Sequence, residues 1–150
     1  MIRYHAEATI RRSPSEVFAA LLDAQRYSDW TDMTDMRWEA EGPPHVGTRG
    51  RFRLPKSPFS GDLGVEIVEL ESDRRVVFRV THPNLTWINW ADLAPEGDGT
   101  HLTYAGEMTL HGWRRILEPV IRSEVTRGET AEVQRLKNLL EADTAVAVPA

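Results

Sequence analysis

Residues 64–111 hold four runs that alternate apolar with polar side chains, and the three hairpins they imply agree on one apolar face. Ser72-Asp73 and Asp98-Gly99 supply turn residues between them. A turn at 72–73 that pairs Glu71 with Arg74 sets Ile67 opposite Phe78 and Val65 opposite Val80. A turn at 82–85 that pairs Thr81 with Thr86 sets Val80 against Trp87 and Phe78 against Asn89. A loop at 96–99 that pairs Pro95 with Thr100 brings Leu93 to Leu102, Ala91 to Tyr104 and Trp87 to Met108. A slip of one residue in any hairpin would turn its apolar set to the other face, so the agreement is a strong constraint. Strands are expected at 64–71, 74–82, 86–95 and 100–111. On the outer face this register makes Glu66 and Arg79 a cross-strand ion pair. It also gathers Val68, Leu70, Val77, Ile88, Trp90 and Ala105 there, a patch that suggests a homodimer.

The flanks supply the remaining elements. Residues 3–11 alternate Tyr4, Ala6, Ala8 and Ile10 against His5, Glu7, Thr9 and Arg11, which predicts a half-buried strand. Ser13-Pro14-Ser15-Glu16 reads as a helix start: Ser13 as N-cap, Pro14 in the first turn, Glu16 closing a capping box. Asp23 caps a second short helix ending near Trp30. Weaker strands are expected at 33–40, around Met36 and Trp38, and at 49–54, with Arg49, Arg51 and Arg53 outward and Phe52 and Leu54 inward. From Gly112 to Glu141, Trp113, Leu117, Ile121 and Val125, then Val133, Leu136 and Leu140, recur at helical spacing. Pro119 kinks or restarts that helix. The expected domain is 1–143, with 144–150 a frayed tail.

Composition removes several classes of function. The chain has no cysteine, which excludes disulfides, thiolate metal sites and cysteine nucleophiles. Its net charge of −5 and its scattered arginine pairs argue against nucleic acid as a partner. The opening MIRYHAEATI lacks an apolar signal segment, and no apolar run approaches the ~18 residues of a membrane span, so a cytoplasmic protein without integral membrane association is expected. Gly97-Asp98-Gly99 lies in a hairpin, not before a helix, and reads as a turn, not a dinucleotide site. The five histidines form no chelating pair, and Asp32 and Asp35 read as capping or solvent-facing groups. No metal or other cofactor is expected.

The order of strand, two short helices, six antiparallel strands and one long helix resembles the helix-grip fold of the START-like (Bet v 1-like) superfamily. The run Ala8-Thr9-Ile10-Arg11-Arg12-Ser13-Pro14-Ser15-Glu16-Val17-Phe18 resembles its opening strand and capped helix. Asp23 through Tyr27 to Trp30, Val46-Gly47-Thr48, Gly99-Thr100 and Leu136 through Glu141 are similar to its later signatures. The similarity is greatest to the polyketide cyclase/dehydrase group. It implies an α+β fold, a curved antiparallel sheet of about seven strands wrapped around the C-terminal helix. It carries no catalytic residue across, because the matching motifs specify scaffold rather than reaction.

The expected site is the cavity between sheet and helix, holding a small apolar or aromatic molecule such as a lipid, quinone or polyketide. Trp30, Trp38, Phe52, Phe78, Trp87 and Met108 are its candidate lining, with Leu117, Ile121 and Val125 as the helix wall. Asn89 and Tyr104 are polar residues on the apolar face, suited to orient a ligand. The alternatives are a cyclase/dehydratase-like enzyme working in the same cavity, and an interaction protein (a quinone chaperone or antitoxin-like partner) using the outer face.

Overall fold

The computed structural model describes residues 1–57, 59 and 61–147. Seven strands form one antiparallel sheet in the order β1-β7-β6-β5-β4-β3-β2. They are β1 (Ile2–Ile10), β2 (Thr34–Trp38), β3 (Arg49–Arg53), β4 (Leu63–Glu71), β5 (Arg75–His82), β6 (Leu85–Glu96) and β7 (Gly99–Leu110). Between β1 and β2 lie α1 (Pro14–Leu22), a 3-10 turn at Ala24–Arg26 and α2 (Tyr27–Trp30). A second 3-10 turn, Gly112–Leu117, leads into α3 (Glu118–Ala147). This is the helix-grip arrangement. Among the described residues, no helix is long and apolar enough to cross a membrane.

The inner-face registers stand as the alternation predicts. Ile67 faces Phe78, Val65 faces Val80, Val80 faces Trp87, Phe78 faces Asn89, Trp87 faces Met108 and Ala91 faces Tyr104. The β4–β5 turn differs. Glu71 pairs with Arg75, not Arg74, and the turn takes three residues with Asp73 in the left-handed region at φ 62°. A bulge between Ile67 and Glu69 absorbs the extra residue. It brings Leu70 opposite Val76 and into contact with the core, so Leu70 leaves the expected outer patch. Val77 and Ala105 of that patch are buried, while Val68, Ile88 and Trp90 are half-buried.

Two polar expectations are corrected. Glu66 is the cross-strand neighbour of Arg79, but its ion pair is with Arg49 on the other flank, at 3.4 Å. Ser13 Oγ accepts from the Glu16 N–H at 3.2 Å, yet the capping box is only half made, because the Glu16 carboxylate pairs with Arg12 at 3.0 Å.

Pro119 restarts the helix rather than kinking it: α3 begins one residue earlier, where the missing proline N–H has no helical partner to lose. Glu118 ties that start to the sheet by accepting the Leu110 N–H at 2.8 Å. The far half of α3 lies against β1. Val133, Leu136 and Leu140 are buried there, and Arg12 Nε donates to the Leu140 carbonyl at 2.9 Å. The first half stands further off, with Ile121 and Val125 only half-buried and Val120 exposed. The α3 backbone is helical through Ala147, and residues 148–150 of the expected frayed tail lie outside the described residues.

Candidate functional site

The space beneath the first half of α3 holds two adjoining cavities that share Met33 and Trp87 as walls. The inner one is about 20 Å³, room for a single water. The sheet lines it with Phe52, Val65, Phe78, Val80, Asn89 and Tyr104; Tyr27 and Met36 complete the wall. The outer one is about 340 Å³, within the range of small-molecule sites. Met108, Leu54 and Phe59 floor it, and Ile121, Val125, Gly128, Glu129 and Glu132 of α3 roof it. Asp32, Lys56 and Glu124 stand at its rim.

Of the residues expected at the site, Phe52, Phe78, Trp87, Asn89, Tyr104, Met108, Ile121 and Val125 line these cavities. Trp30, Trp38 and Leu117 do not. Trp30 is fully buried in the core, 5.2 Å from the Tyr27 ring and 6.1 Å from that of Tyr104. Trp38 stacks behind Phe78 at 6.5 Å, and its indole N–H donates to the Leu22 carbonyl at 3.0 Å, tying β2 to α1. Leu117 falls in the 3-10 turn before α3, packed on the edge of the core.

The polar centre of the sheet face is Tyr4. Its hydroxyl accepts from Trp87 Nε1 at 2.6 Å and from Asn89 Nδ2 at 2.7 Å. The ring reaches them by crossing Gly106, its cross-strand neighbour, where a Cβ would collide with the tyrosine hydroxyl. Asn89 Oδ1 is buried and has no partner among the described residues. Burial, then the nearby Glu129, pushes both Tyr4 and Tyr104 well above the usual phenol range, so both hydroxyls stay neutral.

Facing them from α3 are Glu129 and Glu132, one turn apart and about nine-tenths buried. Burial and the neighbouring Glu132 push Glu129 well above the usual carboxylate range. Burial raises Glu132 to about 7, against the pull of Arg135. The two carboxyls lie close enough on successive turns for each to act on the other's proton. Glu129 Oε2 is buried without a partner among the described residues.

The family model described as polyketide cyclase/dehydrase and lipid transport matches residues 1–141. The chain belongs to that family. Solved structures share the fold of this cyclase/dehydrase-family chain at low identity. A Chromobacterium violaceum protein is 18% identical, with a TM-score of 0.70 over 94% of this chain and 99% of its own. A Thermus thermophilus protein is 15% identical, with a TM-score of 0.74 over 95% and 99%. A protein from the dynemicin biosynthetic locus is 18% identical, with a TM-score of 0.69 over 94% of this chain and 48% of its own. No curated protein sequence matches the chain significantly.

Tyr4, Glu129 and Glu132 were not among the residues expected at the site. Tyr4 hid in the alternation of β1, where it counts as one more inward side chain. The glutamates left a trace. The inward series Leu117, Ile121, Val125 continues at i+4 to residue 129 and at i+3 to residue 132, so the apolar stripe is interrupted where two acids take its place.

Proposed function

We propose that this chain binds a small apolar or aromatic molecule between the sheet and the first half of α3, with the Tyr4–Asn89–Trp87 cluster orienting its polar end. The observation that carries this reading is the 340 Å³ cavity, with apolar walls at Met108, Phe59, Ile121 and Val125, which shares Trp87 with the smaller cavity that Asn89 and its unpartnered Oδ1 line. Each 100 Å² of apolar ligand surface withdrawn from water contributes roughly 2.5 kcal/mol, enough for useful affinity without any ion pair. Quenching of the protein's tryptophan fluorescence by 1-naphthalenemethanol tests it. Saturable one-to-one binding is expected in the wild type and should be lost in Val125→Trp, whose indole occupies the cavity. A wild type that never saturates, or a variant that binds equally well, rejects the reading.

A second reading, proton transfer to or from the bound molecule, is favoured by Glu132, whose carboxyl titrates near neutrality as an acid–base group must. It predicts that Glu132→Gln retains binding and loses turnover. Parallel loss of both would count against it.

A further inference from the structure

We infer that the molecule bound in this cavity carries a protonated amine, and that the neighbouring carboxyls of Glu129 and Glu132 in the cavity roof hold its nitrogen. This rests on the binding reading above and names the class of ligand.

The roof of the outer cavity is acceptor-rich. Glu129, 7% exposed, lines a space large enough for a ligand, and its buried Oε2 has no partner among the described residues. Asn89, 3% exposed, has a second unpartnered oxygen, beside the adjoining one-water cavity. Buried acceptors without donors cost free energy, and a ligand that brings N–H groups removes that cost.

The nearby cations pair with another carboxylate, although Arg135 also acts on Glu132. Lys56 of the β3–β4 loop lies 3.9 Å from Asp32, and Arg135 of α3 lies 3.5 Å from the same carboxylate. The remaining ionisable groups facing the pair are Asp32 itself, Glu124 along α3, and Tyr4, Tyr27 and Tyr104 from β1, α2 and β7. None of these is a cation. An apolar amine therefore meets a dry wall for its hydrocarbon part and a charge partner for its nitrogen. A carboxylate ligand meets like charge as soon as the pair ionises.

The step balances in protons alone. With no ligand, near neutral pH, the pair keeps protons that free carboxylates would have lost. An ammonium that enters donates hydrogen bonds to the carboxylate oxygens, and the proton it displaces leaves to water. Binding of the amine therefore releases protons, and its affinity rises with pH until the amine itself deprotonates.

The test compares 1-naphthylmethylamine with its neutral isostere 1-naphthalenemethanol, by titration calorimetry in buffers of different ionisation enthalpy. At about pH 8 the amine is expected to bind about tenfold tighter or more, with proton release, and at about pH 5.5 the preference should shrink. In Glu129→Gln/Glu132→Gln the preference should vanish while the alcohol still binds, which also certifies that the variant is folded. Equal affinities in the wild type, or a preference that survives in the double variant, overturn the inference and leave the binding reading intact. Failure of both compounds to bind overturns the two together.

Discussion

The Tyr4 hydroxyl receives two buried N–H groups, so its removal strands both. Tyr4→Phe is expected to cost about 1–3 kcal/mol in urea denaturation. Gly106→Ala should cost a similar ~1–3 kcal/mol, because the new methyl enters the space of the tyrosine hydroxyl. The two changes share the hydroxyl contact, while the methyl's clash with the tyrosine ring carbon and the Ile88 carbonyl remains, so the double variant should lose only somewhat less than the sum of the singles. Glu129 and Glu132 set a pH dependence of definite sign. Their folded carboxyls bind protons more tightly than unfolded ones, which titrate near 4.3, so the folded state holds the extra protons. Stability is full below the unfolded value and falls as pH rises through about 7. Thermal melting should show a lower Tm at pH 8 than at pH 5, and Glu129→Gln/Glu132→Gln should flatten that slope. A double variant with an unchanged slope would place its cause elsewhere. Glu118 and Glu141 work in the opposite direction and at lower pH. The N-terminal ammonium with the Leu110 N–H, and Lys137 with the Arg11 N–H, hold those two carboxyls below their usual range.

At the level of elements, α3 carries the clearest prediction. Gly128 lies in mid-helix with open space where a Cβ would stand, and it borders the outer cavity. Gly128→Ala should therefore stabilise the fold by about 0.5–1 kcal/mol in thermal melts, through helix propensity alone. Gly128→Leu should narrow the cavity and weaken naphthalenemethanol binding. Leu136→Ala, at the buried far end, should cost about 2–5 kcal/mol. The hairpins were legible in the sequence because their period of two separates the faces, and three of them had to agree. The bulge near Val68 was not, because Asp73 can take either a tight turn or a left-handed three-residue one, and the choice is settled by packing at Leu70. The sheet's share of the cavity was legible for the same reason as the hairpins. The α3 share was half legible. Ile121 and Val125 follow from apolar spacing, but Glu129 and Glu132 escape any pattern that counts apolar residues only, and their burial depends on where the helix lies across the sheet.

Over the whole molecule, the packing is uneven. The far half of α3 is fixed to β1 by Val133, Leu136 and Leu140, by Arg12 on the Leu140 carbonyl, and by Lys137, which reaches both the Thr9 carbonyl and Glu141. The near half has the cavity beneath it in place of a core. Amide hydrogen exchange should be faster at residues 121–128 than at 133–140, because few buried contacts hold the near half down. Uniform protection along α3 would contradict the division.

That division makes the helix a roof pinned at Glu118 and along its far half, with a looser span between. A visitor and a departing occupant would pass the same doorway, so loosening the near half should quicken arrival and escape alike. Variants there should alter how long an occupant stays far more than how tightly it is held at equilibrium.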